Sequence, residues 1–155
     1  MEWTVRLAHP DDLPQLLSLY AHLHTAPPGQ PDDAGIAAMW RDICADRRQC
    51  ILLGCIDDRP VASLTVVLVP NLTHGARPYA LVENVVTHAD FRGRGYGTAL
   101  LRAACALARR ENCYKVMLMT SRKDGKTLRF YENAGFNPRD KRAFVLRLEE
   151  NPAET

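Results

Sequence analysis

Residues Arg92-Gly93-Arg94-Gly95-Tyr96-Gly97 place three glycines on alternate positions among arginines and run directly into a helix-forming segment. Glycine lets a backbone approach a ligand closely and take left-handed turns. The first N–H groups of a helix lack intrahelical partners, and the helix dipole favours negative charge beside them. Residues of these types in this order can cradle an anion, a phosphate above all. Nearby, Glu83 interrupts the apolar run 79–88. A carboxylate there is costly unless it is paired or faces a cleft. A salt bridge across the sheet to one of the many arginines is one reading, and a place in a reaction site is the other.

Other phosphate motifs fit less well. A dinucleotide fingerprint fails because, counted from Gly93 and Gly95, its third glycine would fall on Thr98. A P-loop is better imitated by residues 120–127, TSRKDGKT, but Thr120 stands where the pattern needs glycine. A disordered arginine-glycine segment of the nucleic-acid-binding type would be longer and would not be embedded between apolar elements.

The elements that must position these residues follow from periodicity and punctuation. Residues 4–7 read as a strand. His9-Pro10-Asp11-Asp12 starts a helix, with proline early and acids in the first turn. Leu13, Leu16, Leu17, Tyr20 and Leu23 then share one helical face. Residues 26–31, APPGQP, break that helix, and a second follows on Ile36, Met39, Trp40 and Ile43. Residues 50–56 and 61–69 form a hairpin about the turn 57–60, and a third strand covers 79–88. A helix over 97–111, a strand over 113–119, a short helix closed by Gly135 and a last strand over 143–148 complete the order. That β-α-α-β-β-β-α-β-α-β order predicts one α/β unit, a mixed sheet with helices on its faces, over residues 1–150, followed by a frayed tail at 151–155.

The totals bound the function. A chain of 155 residues, 46% hydrophobic and 25% charged, suits one soluble domain with an ordinary core. No apolar run approaches the roughly 20 residues a membrane span needs, and the start lacks a signal-peptide pattern, so a cytoplasmic protein without membrane contact is expected. A net charge of +2 argues against a nucleic-acid partner. The charge is uneven, however. Residues 1–78 hold 6 Lys/Arg against 9 Asp/Glu, and residues 79–155 hold 14 against 9, so an anionic ligand on the second half is in keeping. Five cysteines without a CxxC pair suggest buried thiols rather than disulfides, and the scattered histidines give no metal site.

The pattern Arg-x-x-Gly-x-Gly at Arg92–Gly97 resembles the turn with which the GNAT superfamily of acetyl-CoA-dependent N-acetyltransferases wraps the coenzyme's pyrophosphate. The resemblance extends over nearly the whole chain, through the opening RLAHPDDL, the centre ENVVTHADFRGRGYGTALL and the segment LRFYENAGF. It implies the GNAT fold, a mixed and mostly antiparallel sheet flanked by helices, with acetyl-CoA as cosubstrate and no metal. It implies that Val85, Val86 and Thr87 offer backbone groups to the pantetheine arm. Arg92, Gly93, Arg94, Gly95, Tyr96, Gly97 and Thr98 would then offer N–H groups to the diphosphate, with the arginine side chains adding charge from the rim. Glu83 matches a glutamate that some members use, often through water, to deprotonate the amine. Tyr131 matches a tyrosine that many members place to protonate the departing thiolate; otherwise it is a half-buried aromatic in the stripe Leu128, Tyr131, Ala134. One departure stands out. Asp124 and Thr127 occupy places where members often carry Asn and Ala, and an aspartate near phosphates is expected to face solvent.

The acceptor is less defined. The fold lines it with residues 20–40 and 71–79, which offer His22, His24, Asp32, Asp33, Trp40, His74, Arg77 and Tyr79. The acids could meet a cationic amine and Arg77 an anionic one. The motif string looks most like the glucosamine-phosphate acetyltransferase branch, but it covers mainly the coenzyme half. A small-molecule primary amine is the expected acceptor, attacking directly in a ternary complex. A protein lysine or N-terminus, or a catalytically silent coenzyme-A-binding module, is the alternative. Dimerisation is common in the fold, so a homodimer is a further expectation.

Overall fold

Five strands lie side by side in chain order: β1 (Trp3–Leu7), β2 (Gln49–Ile56), β3 (Arg59–Val69), β4 (Tyr79–Thr87) and β5 (Val116–Leu118). The computed structural model describes residues 1–23 and 29–148. Pairing is antiparallel from β1 to β4 and parallel between β4 and β5, the mixed and mostly antiparallel sheet expected. Five helices are interspersed: α1 (Leu13–Tyr20), α2 (Ala34–Ala45), the single turn α3 (Thr73–Ala76), α4 (Tyr96–Arg110) and α5 (Gly125–Asn133). The sheet and α1–α4 belong to one compact unit, Met1–Thr120, and α5 belongs to a second, Ser121–Thr155. The expected break at 26–31 and the frayed tail at 151–155 fall wholly or partly outside the described residues.

Local chemistry sets most boundaries. Asp57 and Asp58 join β2 to β3 with φ of 47° and 65°, the left-handed pair that a tight two-residue hairpin needs. Before α1, the Asp12 carboxylate accepts from the His9 N–H at 2.6 Å and from both Arg6 Nη atoms at 2.6 and 2.8 Å. One carboxylate thus closes the helix start and ties it to β1. Asp33 caps α2 by accepting from the N–H groups of Gly35 and Ile36.

Cross-strand register assigns the two faces of the sheet. Ile51, Leu53 and Cys55 of β2 pack with Leu13, Leu16 and Trp40, so α1 and α2 cover that face. Ile51 pairs with Thr65 and Leu53 with Ser63, which places both on the same side of β3. Leu52, Leu64 and Val66 are buried on the opposite face, where α4 supplies the fully buried Leu100, Leu101 and Ala104. Burying a leucine contributes about 1.5–3 kcal/mol, and several such residues on each face hold the sheet as a rigid platform.

In the second unit, Gly135 at φ 100° ends α5, and the Phe136 N–H returns to the Tyr131 carbonyl at 3.1 Å. The last strand expected over 143–148 is not formed. Those residues make no sheet pairing, and Phe144, Val145, Leu146 and Leu148 are almost fully exposed. β-forming side chains make a strand only where a neighbouring edge receives their hydrogen bonds, and among the described residues none does.

Candidate active site

The glycine turn joins β4 to α4. His88 opens it, accepting from the Asp90 N–H at 3.2 Å, and a short 3-10 turn, Ala89–Phe91, follows. Gly93 and Gly95 take φ of 75° and 83°. A Cβ at either would meet no heavy atom within 4 Å, so conformation, not crowding, is what glycine supplies here. Gly95 caps α4 with no side chain to satisfy the first-turn donors, and the Ala99 N–H to Gly95 carbonyl bond, at 2.9 Å, begins the ladder. The N–H groups of Tyr96, Gly97 and Thr98 therefore stand at a bare helix N-terminus.

Side chains around the turn hold it in place. The Tyr96 ring stacks on Trp3 at 4.6 Å and 22°. Gly54 in β2 makes room for that indole, since a Cβ there would collide with it. Arg94 lies over the Phe91 ring at 5.5 Å. Arg92 is engaged differently from expectation. Its N–H donates to the Ala89 carbonyl at 3.3 Å, and its guanidinium donates from Nε to the Thr87 carbonyl and from Nη2 to the His22 carbonyl, each at 3.0 Å.

β4 has a free edge leading to this turn. β5 pairs with it only from Ala80 opposite Val116 to Val82 opposite Leu118. β4 continues to Thr87, so among the described residues its β5-facing edge is open beyond Val82. Val85, Val86 and Thr87 occupy that open stretch.

A bulge lies within the same stretch. Thr65 pairs with Glu83 and Ser63 with Val86, so Asn84 and Val85 together stand opposite the single residue Leu64. Asn84 accommodates the extra residue at φ 52°, a conformation asparagine tolerates. Simple alternation pairs the faces of Glu83 and Val85; the bulge corrects this, and Val86 shares the Glu83 face toward α1 and α2. Glu83 is half-buried there and, among the described residues, forms no ion pair. The salt-bridge reading of Glu83 is thereby overturned.

The acceptor-lining residues are mostly occupied. Trp40 is buried in the core and donates to the Pro10 carbonyl at 2.7 Å. Arg77 donates to the carbonyls of Asn112 and Cys113, at 3.1 Å each, so its guanidinium fastens the end of α4 and does not await an anion. His74 stacks on Tyr114 at 3.9 Å, and Asp33 serves as a helix cap. His22 packs against His88 with ring centroids 4.2 Å apart, beside the glycine turn. His24 lies outside the described residues. A cavity of about 710 Å³ opens among Arg48, Leu68, Asn71, Leu72 and Pro78. Leu68 continues the Leu64–Val66 face, so this cavity is on the side away from Glu83.

In the second unit, Tyr131 is half-buried on α5 between Phe130 and Phe136, with ring centroids 4.8 and 6.5 Å away. Asp124 accepts from the Thr127 N–H and hydroxyl, each at 2.9 Å, and from Arg122 Nε at 3.1 Å. These bonds hold its carboxyl down at about 2. The departure at these two positions is thus a helix cap: Thr127 is bonded to Asp124, and Arg122 offsets the charge.

All five cysteines are free thiols, and burial pushes each of them up from the ordinary thiol range. That is the opposite of what a cysteine nucleophile needs. Among the described residues no group of His, Cys, Asp or Glu could hold a metal ion, and no helix is long and apolar enough to cross a membrane.

β4, paired on one side with the short edge strand β5, thus runs into a glycine turn at the N-terminus of α4. Residues 14–136 match the acetyltransferase (GNAT) family, and the chain belongs to it. It is 34% identical over 142 residues to the glucosamine 6-phosphate N-acetyltransferase of Trypanosoma brucei brucei, covering 88% of this chain and 90% of that one. A solved protein of Agrobacterium tumefaciens strain C58, provisionally described as an acetyltransferase, superposes with a TM-score of 0.88 at 42% identity, over 93% of this chain and 99% of that one. The Arabidopsis thaliana glucosamine-6-phosphate N-acetyltransferase superposes with a TM-score of 0.82 over 96% of this chain and all of that one, and at 17% identity it shows the shared fold. GNAT enzymes use acetyl-CoA as cosubstrate.

Sequence reasoning missed Trp3, Gly54, Asn84 and the tie from Arg92 to His22. Only Asn84 left a signal, as a residue depleted in strands sitting inside one.

Proposed function

We propose that this acetyltransferase moves the acetyl group of acetyl-CoA to the primary amine of a small molecule by direct attack within a ternary complex. The observation that carries this reading is the open edge of β4 running into the bare N-terminus of α4. Val85, Val86 and Thr87 offer backbone groups along that edge to the pantetheine arm, as a neighbouring strand would. The N–H groups of residues 93–98 then receive the diphosphate, with Arg94 adding charge from the rim. Holding the thioester this way converts a bimolecular reaction into a positioned one.

Proton traffic completes the chemistry. The amine nitrogen attacks the thioester carbonyl, the C–N bond forms and the C–S bond breaks. Glu83, half-buried and without an ion-pair partner among the described residues, takes the amine proton directly or through water. Tyr131, matched to the family tyrosine by its place in Phe130-Tyr131, gives a proton to the thiolate. A phenol is protonated at neutral pH and is close in acidity to an alkyl thiol. The raised thiols speak against an acetyl-cysteine intermediate and so for direct attack.

The 34% identical relative makes glucosamine 6-phosphate the first acceptor to assay. Calorimetric titration with acetyl-CoA, followed by free-thiol release with that amine, tests the reading. Micromolar binding and acceptor-dependent thiol release are expected. A folded, ligand-free sample that does not bind acetyl-CoA would overturn it. Binding without turnover on any small amine, with acetylation of a protein substrate instead, would move the acceptor to a lysine or N-terminus.

A further inference from the structure

Arg92 opens the glycine turn, and its guanidinium is bonded to two backbone carbonyls. Its Nε reaches the Thr87 carbonyl at the end of β4, and its Nη2 reaches the His22 carbonyl just after α1, both at 3.0 Å. The two acceptors are 65 residues apart in sequence, and one planar fork bridges them. A second contact runs alongside, the His22 ring against His88 at 4.2 Å. His22 itself sits in the turn that closes α1, with its N–H on the Leu19 carbonyl and the Leu23 N–H on the Tyr20 carbonyl.

We propose that the Arg92 side chain is a positioning residue that ties the segment after α1, on the acceptor side, to the coenzyme turn. This rests on the reading above, in which residues 93–98 hold the diphosphate. The guanidinium holds two carbonyls at a fixed separation, which a lysine ammonium on a flexible stem cannot reproduce. Charge at this position is therefore incidental, and the fork geometry is what matters. Coenzyme affinity belongs to the backbone of the turn, and acceptor affinity depends on Arg92 through His22.

Arg92→Lys and Arg92→Ala separate this from a diphosphate contact. The side chain is exposed, so both variants are expected to fold, which thermal unfolding checks. The first readout is hydrogen–deuterium exchange of the ligand-free protein, which does not depend on whether acetyl-CoA is the cosubstrate. Loss of a charge-assisted bond to the His22 carbonyl predicts exchange at His22 and Leu23 about tenfold faster in both variants. Unchanged exchange there in Arg92→Ala would overturn the tie. The second readout is kinetic, with glucosamine 6-phosphate as the acceptor probe. Both variants are expected to raise the acceptor KM severalfold while acetyl-CoA affinity stays within about threefold of wild type. If Arg92→Lys instead matches wild type in every readout while Arg92→Ala loses acetyl-CoA affinity, charge on the diphosphate is the role and the proposal fails. If wild type binds no acetyl-CoA, the coenzyme reading fails while the exchange result still decides the tie.

Discussion

Replacing Gly95 tests the anion cradle at its centre, and the structure lets backbone strain and charge be separated. Gly95 caps α4 at φ 83°, and a Cβ there would meet no heavy atom within 4 Å. Gly95→Gln and Gly95→Glu therefore share one cost, the left-handed backbone, which amounts to about 1–2 kcal/mol for an L-residue. They differ only in charge. A carboxylate roughly 6 Å from one phosphate charge, at an effective dielectric near 20, is repelled by about 2.8 kcal/mol. Screening at this exposed turn reduces that to about 1.5–2 kcal/mol, or roughly a further ten- to thirtyfold loss of affinity. Calorimetric titration with acetyl-CoA at low salt should thus show Glu weaker than Gln by about ten- to thirtyfold, while the backbone cost, carried by free and bound protein alike, falls on stability. Raising the salt to about 0.5 M should shrink the Glu-to-Gln ratio and leave the Gln-to-Gly ratio nearly unchanged, because only the first is Coulombic. Equal affinities for Gln and Glu at low salt would show that no phosphate sits at this turn.

Three further outcomes follow from the same geometry. Glu83→Gln should lower kcat/KM for the amine by about a hundredfold, the scale of a general base, while acetyl-CoA binding changes less than twofold; an unchanged rate would make Glu83 a spectator. Tyr131→Phe keeps the ring contacts with Phe130 and Phe136, and kcat should fall roughly ten- to a hundredfold, with acetyl-CoA affinity unchanged in calorimetry. Asp12→Ala removes the bonds to Arg6 and the His9 N–H and should destabilise the fold by about 2–3 kcal/mol in urea titrations near neutral pH. The Arg6 guanidinium and the His9 N–H hold the Asp12 carboxyl below its ordinary value of 3.8, so that stabilisation is fully present above pH 4 and is lost as pH falls through the depressed folded value. The gap between wild type and variant should therefore close on acidification, and a gap that widened there would refute the assignment.

What the sequence disclosed and what it withheld divide along physical range. The helix start at His9–Asp12, the hairpin turn at Asp57 and Asp58 and the glycine turn are each decided within a few residues, and each was legible; the Asp33 cap was not, since its carboxylate read as part of the acceptor site. The length of β5 was not, because a strand lasts only as far as its neighbour pairs with it, and β5 pairs with β4 over three positions alone. The segment 143–148 failed as a strand for the same reason, since its composition says nothing of whether an edge is offered to it. The bulge at Asn84 decides which residues share a face with Glu83, and a period-two reading cannot see one inserted residue.

Arg92 shows how the two ranges meet in one site. Its type and spacing mark a coenzyme turn, so its positive charge reads most simply as a phosphate ligand. Its nearest partners are instead carbonyl oxygens at Thr87 and His22. Asp124 mirrors it: its carboxylate is taken up by Thr127 and Arg122 as a helix cap. In both cases the charged side chain is taken up by building the scaffold. The Gly95 substitutions reach the backbone of the turn itself, which makes them the decisive perturbation, with Arg92→Lys as the informative control.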